Sequence, residues 1–287
     1  MLHVPVLVRE VLEYLAIRPE GIYVDATAGL GGHTAAIAER LTSGFVIAND
    51  RDAESLEMCR RNLAPFAGRV RFHHGRFSEL AEALASFGVE RADGLLADLG
   101  ASLYQLTDPE RGFSFSADAP LDMRMDRSAG RTAAEIVNTM AEKALADLIF
   151  RFGEERRARK IARAIVRARP IRTTLELARV IERVAPRTKR LHPATQTFMA
   201  LRIAVNDELG ELEKLLELMP RLVRSGGRAV VISFMSLEDR RVKHGFQALA
   251  RQGRVRVLTR HVVRPSEQEV RSNPAARSAR LRAVEFL

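Results

Sequence analysis

The chain has 287 residues, of which 46% are hydrophobic and 6% aromatic, and its formal net charge at neutral pH is +10. This length is enough for one large domain or two smaller ones. No apolar run approaches the roughly 20 residues that span a bilayer, which excludes a membrane-spanning helix. The single cysteine, Cys59, excludes an internal disulfide and a cysteine metal cluster. Since no secretion signal is visible either, we expect a cytoplasmic protein.

The positive charge is concentrated in one segment. Between Arg151 and Arg190 there are 14 lysines and arginines against 4 acids, and the rest of the chain carries basic and acidic residues in equal number. A basic segment in an otherwise neutral protein favours a polyanionic partner, most simply nucleic acid. The alternative is a solvated, arginine-rich helix face that binds nothing.

A strand, a glycine turn and a helix are predicted in the stretch YVDATAGLGGHT, residues 23–34. The apolar run before Asp25 is typical of a buried strand, and the run AAIAERL after the glycines favours a helix. Glycines let the backbone adopt positive φ and approach a ligand closely. Such a turn at the end of a parallel strand is where α/β proteins bind nucleotide-like molecules. A turn that binds no ligand is the alternative.

The spacing of these glycines does not fit a dinucleotide-binding fold. The pattern G-x-G-x-x-G/A fails from Gly29 because Thr34 stands at its last position. It fails from Gly31 because His33 stands at its second glycine. With Asp25 before the turn, the stretch instead resembles the first motif of class I S-adenosylmethionine methyltransferases, D-x-x-x-G-x-G.

Three further strands are predicted to end in residues that suit the same ligand. FVIAND ends in Asp50, whose carboxylate would accept hydrogen bonds from ribose hydroxyls, or would cap the next helix, as Asp52 could. VRFHHGRF places Phe77 after a strand, where its ring stacks on a purine or simply packs. ADGLLADLG ends in Asp98. In a parallel sheet these ends share one edge, so Gly31, Asp50, Phe77 and Asp98 form one candidate site.

The alternation of strands and helices stops after this strand. A long turn-rich segment follows, and capping boxes at Thr132 with Glu135 and at Thr173 with Glu176 begin new helices. We therefore predict a helical insertion over residues 104–204, which would recognise the substrate. The α/β domain is then formed by residues 1–103 and 205–287.

The α/β pattern resumes after the insertion. A glycine pair at residues 226–227 is predicted to precede the buried strand RAVVISF, and a helix follows it. The runs VRVLT and LRAVEFL are predicted to form a closing, hairpin-like pair of strands.

Taken together, these stretches resemble the bacterial 16S ribosomal RNA small-subunit methyltransferase H family. The matching motifs run in order from His3 to Arg282, and PLDMRMD and RIAVNDELGELE are the most specific of them. The others include HVPVL, GLGGHT, NDRD, GRFSEL, DLGAS, ERGFSF, KIARAIV, HPATQTF, GGRAVVISF, SLEDR and NPAARSA.

The resemblance implies a Rossmann-like class I S-adenosylmethionine methyltransferase fold, with a mainly parallel seven-stranded sheet and an inserted all-helical domain. It implies methyl transfer from S-adenosylmethionine to the N4 amine of a specific cytidine in 16S rRNA, at the decoding centre (P site) of the small ribosomal subunit. This chemistry needs neither a metal nor a membrane.

The cofactor contacts of the family carry over onto a set of residues in this chain. They are Gly32, His33, Thr34, Asp50, Phe77, Asp98 and Gln105. We further hypothesise that Asp98 is catalytic, because an acceptor for one N–H of the cytosine amine would make that weak nucleophile more reactive. The alternative is that Asp98 contacts only the cofactor.

The chain departs from the family pattern at two places. Leu103 stands where a serine is usual, and Met235 stands where a histidine is usual. Both positions would lie near the substrate base, and Met235 by itself is typical of a core methionine. Two other functions are alternatives. One is a class I methyltransferase with a non-RNA substrate, and the other is a nonenzymatic ribosome-assembly factor that retains the cofactor pocket.

Overall fold

The computed structural model describes residues 5–185 and 192–287. Among the residues considered above, His3, Arg187, Lys189 and Arg190 lie outside the described residues. The chain divides into two compact units, of which one combines Met1–Gly100 with Leu209–Leu287 and the other is Ala101–Glu208. Within the described ranges, no helix has both the length and the apolar composition needed to cross a bilayer.

A seven-stranded sheet forms the centre of the first unit. Its strands are β1 (Ile22–Asp25), β2 (Phe45–Asp50), β3 (Val70–His74), β4 (Ala92–Asp98), β5 (Val223–Ser233), β6 (Val255–Val257) and β7 (Arg280–Phe286). They are arranged in the order β3-β2-β1-β4-β5-β7-β6. Strands β1 to β5 pair in parallel, and β7 is antiparallel to both of its neighbours. The predicted mainly parallel sheet and the closing pair of strands are therefore confirmed.

Helices cover the sheet and build the second unit. They are α1 (Val8–Leu15), α2 (Gly32–Ala38), α3 (Ala53–Asn62), α4 (Leu80–Ser86), α5 (Leu103–Thr107), α6 (Ala133–Thr139), α7 (Glu142–Gly153), α8 (Ala158–Ala168), α9 (Thr174–Glu182), α10 (Thr195–Asn206), α11 (Glu208–Leu222), α12 (Ser236–Arg251) and α13 (Glu267–Ser272).

The two faces of the sheet pack into separate apolar cores. Val24, Leu95 and Val231 lie in the core that contains α4, α11 and α12. Their chain neighbours Tyr23 and Leu96 lie in the core that contains α1, α2 and α3. This alternation follows from the two-residue period of a strand, and it explains why the parallel strands read as continuous apolar runs.

The start of β5 differs from the prediction. The glycine pair lies inside the strand and not before it, since the strand already begins at Val223. Ala92 pairs with Val223, while Gly94 pairs with Arg228, so the residues between them bulge out of the ladder. Gly226 makes this possible because its φ of 74° is readily adopted only by glycine.

The second unit is helical, with an apolar core supplied by α6 to α10 and by the segment that precedes them. Both predicted capping boxes are present, because Thr132 and Thr173 each accept the backbone N–H of the glutamate three residues on. The long amphipathic stretch breaks after Asn206, where Asp207 adopts a left-handed conformation.

The turn-rich segment before α6 is held by two buried polar side chains. The Arg111 guanidinium, which is 1% exposed, donates to the carbonyl oxygens of Arg124 (3.0 Å) and Met125 (2.8 Å). Asn206 accepts the N–H of Met125 at 2.8 Å and donates to the carbonyl of Met123 at 2.8 Å. The Asn206 contacts join the motifs PLDMRMD and RIAVNDELGELE, so the fold itself requires part of both motifs.

Candidate active site

Three strands of the first unit end in an aspartate at the same edge of the sheet, which we call the carboxyl edge. Asp25 ends β1, Asp50 ends β2 and Asp98 ends β4. The parallel register sets Asp25 beside Ala48 and Leu96, two residues before the ends of the neighbouring strands. The edge of the sheet on which nucleotide-like ligands bind in such folds therefore carries three carboxylates.

The glycine turn after β1 forms the rim of this edge. Gly29 and Gly31 have φ of 53° and 94°, which explains why glycine stands at both positions. The Gly29 N–H donates to Oδ2 of Asp50 at 2.7 Å, so the turn is tied to the neighbouring strand. A Cβ on Gly29 would meet nothing closer than the Thr27 carbonyl oxygen at 4.0 Å, so the turn is open on that side.

Asp25 holds the turn from the inside. Its Oδ2 accepts the Thr34 hydroxyl at 2.7 Å, and its Oδ1 accepts the Thr27 N–H at 3.2 Å. The side chain is 1% exposed, and this burial raises the pKa of Asp25 despite the charge of His33 and the two hydrogen bonds. The acid of the D-x-x-x-G-x-G motif and the predicted contact residue Thr34 are thus bonded to each other and are both buried.

Asp50 and Asp52 have different roles, which the sequence left open. Asp52 is the N-cap of α3, since its side chain accepts the N–H groups of Glu54 and Ser55. The carboxylate of Asp50 accepts the N–H groups of Gly29 and Asp52 and remains partly exposed at the carboxyl edge. Burial raises the pKa of Asp50 to about 6, because these two hydrogen bonds do not compensate for the loss of solvent.

Asp98 is the least satisfied carboxylate of the three. Its Oδ1 is buried and has no hydrogen-bond partner within the described part of the chain, while its backbone N–H donates to Thr27 Oγ1 at 2.7 Å. Its Oδ2 lies 3.7 Å from Nδ1 of His33. Burial raises the pKa of Asp98 to about 6, the negative charge of Asp25 adds to this rise, and His33 opposes it.

His33 and the segment before α1 lie against the same turn. The His33 ring is 6% exposed, and its Nε2 lies 2.8 Å from the carbonyl oxygen of Val6. A Cβ on Gly32 would meet the Pro5 ring at 3.0 Å. The close approach of this N-terminal segment explains the glycine at position 32, and no local sequence pattern predicts this contact.

Phe77 lies in a short 3₁₀ turn after β3 and is half-buried against the core. The turn is anchored by Glu211 of α11, which is 3% exposed. Glu211 accepts the N–H and the hydroxyl of Ser78, each at 3.0 Å, and the Lys214 ammonium at 2.8 Å. Burial alone would raise the pKa of Glu211, but the hydrogen bonds from Lys214 and Ser78 outweigh it and lower that pKa.

Gln105, Leu103 and Met235, which the sequence analysis also named, lie in other parts of the chain. Gln105 belongs to the second unit, where it is buried and completes a capping box with Ser102 at the start of α5. Leu103 is exposed on that helix. Met235 is half-buried at the N-cap of α12, so its interpretation as a core methionine is wrong. The turn between β5 and α12 leaves that position only partly covered.

Cys59 is a core residue, as predicted. It is fully buried in α3 against the glycine turn, and burial raises the pKa of its thiol. In residues 5–185 and 192–287, no three His, Cys, Asp or Glu side chains are grouped as a metal site would need.

The strand order, the single antiparallel strand β7 and the glycine turn after β1 define a Rossmann-like fold of the class I methyltransferases. The family model of the MraW methylase family matches residues 1–287, and the chain therefore belongs to this family.

Named relatives cover almost the whole chain. The ribosomal RNA small subunit methyltransferase H of Solibacter usitatus is 63% identical over 99% of this chain and 100% of its own length. The protein of the same name from Acidobacterium capsulatum is 52% identical over 99% and 98% of the two chains. Among solved structures, a putative rRNA methylase from Clostridium thermocellum aligns over all of both chains with 11% identity and a TM-score of 0.48.

Proposed function

We propose that this protein transfers a methyl group from S-adenosylmethionine to the N4 amine of a specific cytidine in 16S rRNA, at the decoding centre of the small ribosomal subunit. Membership of a methylase family supports the reaction class. The names of the relatives support the RNA of the small subunit. The observation that carries the chemistry is the buried, unpartnered Oδ1 of Asp98 beside the glycine turn. A cytoplasmic location belongs to the same proposal.

The residues of the carboxyl edge fit S-adenosylmethionine by their chemistry. The turn is free of side chains at Gly29 and is open there, Asp50 presents a carboxylate suited to ribose hydroxyls, and Phe77 presents an aromatic ring for adenine. We propose that these groups hold the cofactor together with Gly32, His33, Thr34, Asp98 and Gln105. When bound, S-adenosylmethionine supplies an electrophilic methyl group on a sulfonium.

Asp98 has the properties that the amine requires. The exocyclic nitrogen of cytosine is a weak nucleophile because its lone pair is delocalised into the ring. An acceptor for one of its N–H groups localises that lone pair and stabilises the positive charge that develops on nitrogen. The free Oδ1 of Asp98 supplies such an acceptor, and the burial of that oxygen strengthens the interaction because competing water is excluded.

The helical unit offers a surface for the RNA. Arg156, Arg157 and Lys160 are exposed beside and on α8, and none of the three forms an ion pair with another described residue. The apolar residues Ile161 and Ile165 are buried on the opposite side of the helix. Unpaired, exposed cations on one face are the usual basis of phosphate binding.

The decisive experiment is methyl transfer to the proposed substrate. The protein is incubated with labelled S-adenosylmethionine and small ribosomal subunits from cells that lack this modification, and the label is mapped by nucleoside mass spectrometry. We expect N4-methylcytidine at one site. Label on another atom or another molecule would support a methyltransferase with a different substrate, and cofactor binding without any label would support an assembly factor.

The RNA surface has its own test. Replacing Arg156, Arg157 and Lys160 together by glutamine should weaken RNA binding by about tenfold or more at moderate salt. It should also reduce the slope of log K against log salt by about 2, because three phosphate contacts are lost. The matched control replaces Arg91, Arg251 and Arg254, which are exposed in the first unit. Equal losses in both triple variants would contradict the proposed surface, and cofactor binding should remain in both.

A further inference from the structure

We propose that His33 is a positioning residue for methyl transfer, which favours the carboxylate form of Asp98 and leaves its Oδ1 without a hydrogen-bond partner from the described residues. The inference rests on the proposed function for the identity of the amine. It concerns the imidazole side chain, whereas the sequence resemblance assigned His33 only to cofactor binding.

The orientation of the His33 ring is fixed by the segment before α1. Nε2 lies 2.8 Å from the carbonyl oxygen of Val6. A carbonyl oxygen has no proton to donate, so the hydrogen of this bond belongs to Nε2. The other ring nitrogen, Nδ1, is thereby directed to Oδ2 of Asp98 at 3.7 Å. The ring is 6% exposed, so water does not screen this pair effectively.

The protonation of the two groups decides whether this contact is attractive. If both groups were deprotonated, the lone pair of Nδ1 would face a carboxylate oxygen across 3.7 Å. A proton on Nδ1 makes the ring a cation and converts the contact into an ion pair, which favours the ionised form of Asp98. A positive charge on the imidazole would therefore favour the carboxylate form of Asp98, 3.7 Å away.

The other charges around Asp98 act in the opposite direction. Asp25 of β1 raises the pKa of Asp98, and His33 of α2 is the group that lowers it. No lysine or arginine among the described residues forms an ion pair with Asp98. Among the described residues, His33 is therefore the charged group that favours the ionised form of Asp98.

The proton of the reaction can then be followed. The nitrogen lone pair forms the new bond to the methyl carbon as the carbon–sulfur bond breaks, which leaves a neutral thioether and a positive charge on N4. N4 loses one proton, and Oδ1 of Asp98 accepts it. The products are N4-methylcytidine, S-adenosylhomocysteine and protonated Asp98, which then returns its proton to solvent.

The first test needs no cofactor and no RNA. Carbon-13 NMR of the aspartate carboxyl groups follows Asp98, whose signal is assigned by its loss in Asp98→Asn. In the variant His33→Gln, the amide can still donate to Val6, but it has no positive charge. We expect the midpoint of the Asp98 titration to rise by about one pH unit. An unchanged midpoint in a folded variant would overturn the proposal.

A measurement on the unaltered protein covers the case in which the variant does not fold. Nitrogen-15 NMR of the imidazole rings distinguishes protonated from bare ring nitrogens. We expect the Nδ1 signal of His33 to shift over the pH range in which the Asp98 carboxyl group titrates, because the two groups are 3.7 Å apart. An Nδ1 signal that does not follow the Asp98 titration would rule the coupling out.

The second test is the pH profile of single-turnover methyl transfer. For His33→Gln at saturating S-adenosylmethionine, we expect the rate relative to the unaltered protein to be about fivefold lower at pH 6 than at pH 8.5. A rise of the Asp98 pKa by about one unit from about 6 lowers the ionised fraction at pH 6 from about a half to about a tenth. The matched control is His74→Gln, since the exposed His74 ring also contacts a main-chain carbonyl, that of Arg51, but forms no ion pair with a carboxylate in the described part of the chain. An equal loss at every pH would indicate a purely structural role.

The proposed function and the positioning role of His33 can be contradicted separately. If the NMR titrations show the His33–Asp98 pair but no cytidine is methylated, the proposed substrate is wrong and the pair remains. If cytidine is methylated normally while Asp98 titrates independently of His33, the proposed function stands and the positioning role is wrong.

Discussion

The carboxylates at the two edges of the central sheet differ in whether arginines pair with them. At the amino edge, where the strands begin, the buried Asp93 contacts the guanidinium groups of both Arg18 and Arg224. It also accepts the N–H of Ile22 at 2.9 Å. At the carboxyl edge, none of the three aspartates forms an ion pair with a lysine or arginine among the described residues, and burial raises the pKa of each.

This difference in pairing indicates which carboxylates of the sheet contribute to stability and which are candidates for function. A buried carboxylate that is matched by cations and N–H donors stabilises the fold, whereas one that lacks a partner costs free energy. Such a cost persists where a site needs the group for another purpose, and perturbed carboxyl groups in a cleft are therefore candidates for chemistry. The contrast assigns Asp93 to the fold and Asp98 to the reaction.

The largest expected effect is on catalysis. Asp98→Asn keeps the size of the side chain and an acceptor oxygen but cannot take up the proton of the amine. We expect single-turnover methyl transfer to fall by at least about 100-fold, within the range for loss of a general base. Cofactor affinity, measured by calorimetry, should change by less than about fivefold.

Asp93→Asn is the matched substitution at the other edge. It removes the same charge from a buried strand residue of β4, and we expect the rate of the folded enzyme to remain within about threefold of normal. If Asp98→Asn and Asp93→Asn reduced the rate equally, the division between the two edges would be wrong. Turnover that survived in Asp98→Asn would exclude Asp98 as the catalytic group.

The second effect concerns stability and has a defined sign. The pKa of Asp98 is about 6 in the folded protein against 3.8 for an unperturbed aspartate. The folded state therefore binds more protons than the unfolded state between these values. The contribution of Asp98 to the free energy of unfolding accordingly falls as pH rises through them. Asp98→Asn cannot ionise, so we expect it to be more stable than the unaltered protein by about 1–3 kcal/mol at pH 8 and by little at pH 4.

Thermal unfolding at several pH values measures this difference directly. The melting temperature of Asp98→Asn minus that of the unaltered protein should be positive at pH 8 and should shrink as pH falls below 6. A constant difference would show that the ionisation of Asp98 has no cost in the folded state.

The third effect is a loss of stability at the amino edge. Asp93→Asn leaves Arg18 and Arg224 without their carboxylate, although an amide oxygen can still accept the N–H of Ile22. Both arginines are about half exposed, so solvent screens the loss. We expect a decrease of about 1–2 kcal/mol in the free energy of unfolding, measured by urea denaturation. The loss should be smaller in high salt, and stabilisation of this variant would contradict the comparison.

The sequence predicted those parts of the site that depend on local pattern. The glycine turn, the strand ends at Asp50 and Asp98 and the capping boxes are each encoded within a few residues. Strand and helix periods and the φ preferences of glycine act over that distance. The seven-stranded fold then followed from the alternation of elements and from the resemblance.

Contacts between residues that are far apart in the chain could not be predicted from the sequence. Ser78 and Glu211 are 133 residues apart, and the motif residues Met125 and Asn206 are 81 apart. The two edges were also indistinguishable, because ADGLLADLG shows two aspartates and not which of them faces arginines. The charge state of a carboxylate depends on burial, which one strand alone does not determine.

The smallest expected effect tests one of those distant contacts. Glu211→Gln keeps an oxygen to accept the Ser78 N–H, but it removes the charge that binds Lys214 and one of the two acceptor oxygens. The turn that carries Phe77 should become less rigid, so we expect cofactor affinity to fall by about twofold to fivefold while the single-turnover rate at saturation stays unchanged. Calorimetry and single-turnover kinetics measure the two quantities.

Glu213→Gln is the appropriate control for this change. Glu213 lies on the same helix, α11, and pairs with Arg241 at 2.9 Å, but it is exposed and does not touch the Phe77 turn. A loss of affinity in Glu211→Gln alone would show that α11 supports the carboxyl edge through Ser78. Equal affinities in the two variants would mean that Phe77 is held well enough by its packing. In that case the buried Glu211 would serve stability alone, as Asp93 does at the opposite edge.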